Sequence, residues 1–110
     1  MNIDIVTKNI TLDKALDFFV RDKLGLLQKL LPLETSVRVE IGKPSKHHRS
    51  GPVFYAEANL KLGGKLLRAE ATHVDLRAAI VDVKDALKIE IQKFKGRQNT
   101  RSRRNPLKAS

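Results

Sequence analysis

Arg77, Lys84, Lys88 and Lys95 recur at spacings of seven, four and seven residues. On a helix advancing about 100° per residue they gather within roughly 40° of arc, one or two turns apart. Such a row suits the phosphates of a polyanion. Two further basic stretches contain no acid: GKPSKHHRSGP, residues 42–52, with Lys43, Lys46 and Arg49, and residues 96–110, with Arg97, Arg101, Arg103, Arg104 and Lys108.

Residues able to break bonds are scarce by comparison. There is no cysteine, which rules out a disulfide framework, a thiolate nucleophile and a thiolate zinc site. His47, His48 and His73 are the only histidines. Two adjacent histidines between Lys46 and Arg49 make a poor divalent-cation site, because the flanking cations repel the metal and neighbouring side chains need not converge. No nucleophile elbow and no glycine-rich phosphate loop is present, and Asp82 and Asp85 fall on the solvent side of their helix. A hydrolase or metal protein built on His47, His48 and an acid such as Asp75 is therefore the weakest reading. No catalysis, no cofactor, no metal and no small-molecule substrate are expected.

The formal charge is +10, from 22 Lys+Arg and 12 Asp+Glu, and half of it sits in residues 96–110, leaving +5 on residues 1–95. That balance favours nucleic acid or an anionic membrane surface through counterion release and long-range attraction. A solubilising excess would not need to cluster on one helix and one tail. No apolar run approaches the ~20 residues of a membrane span, and MNIDIVTKNI alternates rather than forming a signal peptide. A soluble cytoplasmic protein without membrane attachment is expected.

The cationic row needs a helix to carry it. In residues 75–95 Leu76, Ala79, Ile80, Val83, Leu87, Ile91 and Phe94 fall within about 120° of one another, a core-facing stripe. Asp75 is placed to cap the first turn and Gly96 to stop the helix. Upstream, residues 2–7 alternate as a strand. Leu12, Leu16, Phe19, Leu24, Leu27 and Leu31 then give helical spacing up to Pro32, with Thr11 as N-cap and a weak point at Gly25. Residues 35–41 and 53–62 alternate as strands, and Gly63-Gly64 signals a two-residue hairpin into residues 65–72. The order β-α-β-β-β-α predicts an α+β two-layer sandwich: a four-stranded, antiparallel-rich sheet with both helices on one face. The crossover helix makes the first two strands parallel neighbours if adjacent. Residues 1–95 are expected to form the domain, and residues 96–110 a basic, disordered tail too polar to bury itself.

Of the five aromatics, Phe18, Phe19, Phe54, Tyr55 and Phe94, at least Phe19, Phe54 and Phe94 fall on core faces, so base stacking across the sheet is not expected. Recognition should be of RNA backbone and shape, by Lys and Arg on helices and loop.

These pieces, in this order over residues 1–95, resemble a known family. The opening MNIDIVTKNITLDKALDFFVRDKL, the KHHR loop, GGKLLRAEAT, and DLRAAIVDVKDAL followed by QKFK are similar to the ribosome hibernation promoting factors. That family is also called ribosome-associated inhibitor or ribosomal subunit interface protein. The resemblance implies a double-stranded-RNA-binding-domain-like fold docked on the small ribosomal subunit near the decoding region. There it would occlude messenger and transfer-RNA positions and inhibit translation under stress or in stationary phase. It also implies a short form without the C-terminal domain that dimerises ribosomes, and a monomer off the ribosome. By position, Lys23, Lys93 and Lys95 match basic sites common in the family, and Lys46, His47, His48 and Arg49 its basic loop. Ala86, Ile89 and Gln92 stand where members carry cations, and Lys84 and Lys88 where they carry an apolar residue and an acid. The cations have moved round the helix. The expected RNA contacts are thus Lys23, Lys46, His47, His48, Arg49, Arg77, Lys84, Lys88, Lys93, Lys95, Arg97, Arg101, Arg103 and Arg104, with ribosomal RNA as the partner. The rival reading is a general structured-RNA binder without ribosome specificity.

Overall fold

Alternating apolar residues in four segments give four strands, ordered β1-β2-β3-β4 in one sheet. A computed structural model describes the backbone of residues 1–44 and 53–109 and the side chains of 1–44 and 53–97. Strand β1 (Asn2–Lys8) leads into helix α1 (Lys14–Gly25) and a 3₁₀ turn (Gln28–Leu30). Strands β2 (Ser36–Gly42), β3 (Phe54–Leu62) and β4 (Lys65–His73) follow, then helix α2 (Leu76–Ala109). β1 pairs parallel with β2, as a crossover through α1 requires, and the β2–β3 and β3–β4 pairs are antiparallel.

The strand period of two sends Val37, Val39, Ile41, Ala56, Ala58, Leu60, Leu67 and Ala69 to the covered face, all buried. Ala56, Ala58 and Ala69 are small enough for a helix backbone to approach closely, and α2 lies over β3 and β4. Its stripe is buried as expected: Ala79, Ile80, Val83, Leu87 and Ile91 have no exposed surface. Each large side chain so buried contributes about 1.5–3 kcal/mol. Phe94 ends the stripe against Gly63. Both hairpin glycines have positive φ, +58° at Gly63 and +80° at Gly64, as a two-residue primed turn needs, and a Cβ on Gly63 would sit 2.8 Å from Phe94 Cζ. The turn thus admits the ring.

Three boundaries differ from the sequence reading. Helix α1 is capped by Asp13 rather than Thr11. Asp13 has extended backbone, and its Oδ1 accepts the Leu16 amide at 2.7 Å, satisfying a donor that Thr11, two residues earlier, does not reach. The helix stops at Gly25 instead of running to Pro32. Leu24, Leu27 and Leu31 nonetheless remain buried across the 3₁₀ turn, so packing carries the chain where glycine weakens the helix. Lastly, Gly96 does not end α2, which continues to Ala109. Gly96 is absent from the positive-φ residues, so no left-handed terminating turn forms there. At ~1.5 Å per residue, 34 residues span about 51 Å, beyond the ~30 Å of a nine-residue strand.

Among the described residues, no helix is long and apolar enough to cross a membrane.

Candidate nucleic-acid interface

Helix α2 begins where sequence chemistry places it. The Arg77 amide donates to Asp75 Oδ1 at 3.0 Å, and the Asp75 amide donates to His73 Nδ1 at 2.9 Å. His73 therefore serves the entrance to α2. Among the described residues no three His, Asp or Glu side chains converge as a metal site. His47 and His48, with Lys46 and Arg49, lie outside the described residues. The side chains of Arg101, Arg103 and Arg104 do so as well.

The described cations of the expected interface differ in what holds them. Arg77, Lys88, Lys95 and Arg97 are exposed, and no described carboxylate pairs with them. The Arg97 Nε reaches back to the Lys93 carbonyl at 3.4 Å. Lys84 is different: its ammonium lies 2.6 Å from Asp85 Oδ1 and its side chain is only 16% exposed. Lys93 pairs loosely with Glu90 at 3.7 Å. The cationic row is real as a helical register, but Lys84 is tucked in and partnered within it.

Arg77 and Lys23 come together across the helices. The Arg77 guanidinium lies 5.1 Å, and the Lys23 ammonium 5.4 Å, from the ring centroid of Phe19 on α1. The flank of α2 bearing Arg77 thus faces α1 at that end. On the opposite flank, Ala86 packs against the core and Ile89 is exposed. Arg21 is spent structurally, donating to Asp17 at 2.7 Å and to the Ile3 carbonyl at 3.0 Å, which ties α1 to β1.

The open sheet face has a different electrostatic character. Register places Lys8, Arg38, Lys61 and Arg68 there against Asp4, Glu40, Glu57 and Glu70. Glu40, Glu57 and Glu70 are direct cross-strand neighbours, a repulsive arrangement. It is relieved by Arg68, 3.0 Å from Glu57, and by Tyr55, whose hydroxyl donates to Glu40 Oε2 at 2.6 Å. Burial, the Glu40 hydrogen bond and the two nearby carboxylates push the Tyr55 phenol up to about 12. This face is neutral overall. Through Arg97, α2 carries six cations and three acids, so the positive excess lies on the helix layer.

The family resemblance gave Lys23, and sequence spacing gave the row. It did not show Phe19 as the surface joining Lys23 to Arg77, because that contact depends on how the helices pack. Nor did it show the Lys84–Asp85 pair. Phe18, 71% exposed on α1, is an aromatic the sequence left unassigned.

A family model described as sigma 54 modulation protein / S30EA ribosomal protein matches residues 3–99. Among solved structures, the chain is similar to the N-terminal domain of Thermus thermophilus Protein Y. The two are 28% identical over 86% of this chain and 99% of that one, with a TM-score of 0.73. It is also similar to a ribosomal subunit interface protein from Coxiella burnetii, at 19% identity over 87% of this chain and 99% of that one, with a TM-score of 0.71. At that lower identity the likeness is one of fold. No curated protein sequence matches significantly.

Proposed function

Since the chain belongs to the sigma 54 modulation protein / S30EA ribosomal protein family, we propose that it is a non-enzymatic ribosome hibernation factor. It binds the small ribosomal subunit near the decoding region, occludes messenger and transfer-RNA positions and inhibits translation. The carrying observation is the placement of charge within the family fold: a positive helix layer backs onto a neutral sheet face. Phosphate contacts made by that layer release counterions, which supplies affinity, while the neutral face gives RNA no comparable attraction. Arg77, Lys88, Lys95 and Arg97 are the described residues offered for contact without a described ion pair. Lys23 and Lys93 are offered with loose acid partners, Asp22 at 3.8 Å and Glu90 at 3.7 Å, and Lys84 is secondary because Asp85 holds it at 2.6 Å. Lys46, His47, His48, Arg49, Arg101, Arg103 and Arg104 are added as contacts on sequence grounds alone. The protein acts in the cytoplasm and is a monomer off the ribosome.

Sedimentation with purified small subunits at physiological salt tests this reading. The protein should pellet with subunits and stay bound when unrelated duplex RNA is added in excess. Release by that competitor would replace the proposal with a general structured-RNA binder. In a translation extract the full chain should inhibit, and a 1–95 truncation should inhibit less while remaining folded.

A further inference from the structure

Phe19 sits where α1 meets α2, half-buried against the core. Lys23 lies one turn further along α1, and Arg77 in the first turn of α2. Both cations are held over the same ring, so their charges are at most about 10.5 Å apart, the sum of their distances to the shared centroid. A carboxylate that orients a cation also neutralises it, as Asp85 does for Lys84. A ring orients through its quadrupole and leaves the positive charge uncompensated. Two described acids lie near this pair: Asp22, 3.8 Å from the Lys23 ammonium at the limit of ion pairing, and Asp75, whose carboxylate is taken by the Arg77 backbone amide at 3.0 Å rather than by the guanidinium. Arg77, with no described ion pair, and Lys23, only loosely paired with Asp22, are two weakly compensated like charges on separate elements and form a concentrated anion site. The chemistry is complementary: a planar guanidinium can engage two phosphate oxygens while an ammonium supplies a point charge.

We infer that Lys23 and Arg77 form a clamp for a single phosphodiester group of bound RNA, with Phe19 as its positioning residue. The clamp rests on the ribosome-binding reading for its RNA. Its preference for phosphate is a property of the free protein and is tested there as well.

Two sets of variants decide it. If both cations grip one phosphate, Lys23→Gln and Arg77→Gln should each weaken subunit binding about 5–10-fold. The double variant should be little worse than either, and the salt slope should fall by about one unit in all three. Effects that multiply, with a slope loss of about two units in the double variant, would mean two independent contacts and overturn the clamp. Phe19→Leu keeps both charges and the apolar packing, so it should weaken binding about 3–10-fold with the slope unchanged, whereas Phe19→Tyr should behave as wild type. A folded Phe19→Leu variant that binds normally overturns the positioning role, and the charge variants keep the test open should it fail to fold. Titrating inorganic phosphate into the free protein while following the Arg77 Nε–H resonance gives the second arm. The resonance should shift in wild type and far less in Lys23→Gln. Absence of any shift in wild type rejects the clamp whether or not ribosomes bind. A clear shift in a protein that does not pellet with subunits would retain the phosphate site and reject the ribosome reading instead.

Discussion

Lys84 should contribute almost nothing to RNA binding, although it shares its helical row with Lys88 and Lys95. The sequence alone puts all three at the interface and predicts that neutralising them flattens the salt dependence by up to about three units. The structure reduces that to two. Lys84 lies 2.6 Å from Asp85 with a side chain only 16% exposed, so contacting a phosphate means leaving its acid and swinging out. Lys88 and Lys95 are exposed and without a described ion pair. Each phosphate contact contributes about 0.7–0.9 to the slope of log K against log salt, so losing two costs roughly 1.4–1.8. Over a fourfold change, from about 50 to about 200 mM, that slope difference corresponds to about 7–12-fold. Lys88→Gln with Lys95→Gln should therefore bind far more weakly than wild type at low salt and approach it, by about that factor, at high salt. Lys84→Gln should follow the wild-type line. Asp85→Asn frees Lys84 and should steepen the slope by up to about one unit. Small-subunit binding measured at four or five salt concentrations is sufficient. A Lys84→Gln loss as large as that of Lys88→Gln would refute the role assigned to Asp85, and an unchanged Lys88/Lys95 double variant would remove this row from the interface altogether.

Gly63→Ala forces an alanine to φ near +58° and sets a Cβ 2.8 Å from Phe94 Cζ. Left-handed backbone costs about 1–2 kcal/mol and crowding about 1 more, so thermal unfolding should fall by roughly 10–20 °C, with Phe94→Leu restoring only the crowding part. Asp13→Ala removes the cap that accepts the Leu16 amide and should cost about 0.5–2 kcal/mol in denaturant unfolding, whereas Thr11→Ala should be nearly neutral. Tyr55 is the only tyrosine and there is no tryptophan, so its phenolate absorbance reads one site. The midpoint should lie near 12. Because the folded state holds this proton more tightly, the associated stability is complete below about pH 10 and disappears as pH rises toward 12. Glu40→Gln should lower the midpoint only part of the way, since burial is the leading cause.

The elements were legible because their signals are local. Alternation over 53–62, two glycines at 63–64 and the stripe from Leu76 to Phe94 each specify a shape without knowledge of the rest of the chain. Boundaries were less legible because several residues compete for one role. Thr11 and Asp13 can both cap a helix, and the cap is Asp13, whose carboxylate reaches the Leu16 amide. Gly96 permits a left-handed stop but does not compel one. Phe19 marks a third kind of limit. Helical spacing correctly sets it against the core, but the two cations over its ring come from both helices, and only their packing brings Arg77 there.

The two layers also show why one face of a basic protein is charged and the other is not. In a sheet, an outward residue meets outward residues on neighbouring strands, and register decides whether acid meets base. Here Arg68 reaches Glu57, Tyr55 caps Glu40, and the formal charges on that face cancel. On a helix the neighbours of an outward residue lie three, four and seven positions along the same chain, so a repeat such as Arg77, Lys84, Lys88 and Lys95 stacks like charge on like. Such a row costs folding stability through self-repulsion and gains nothing from the core. RNA phosphates placed against it would relieve the repulsion, so the feature that disfavours the free helix favours the complex. Supplying an acid beside each cation would make α2 more stable and a poorer ligand for RNA, and the Lys84–Asp85 pair is already one instance of that exchange.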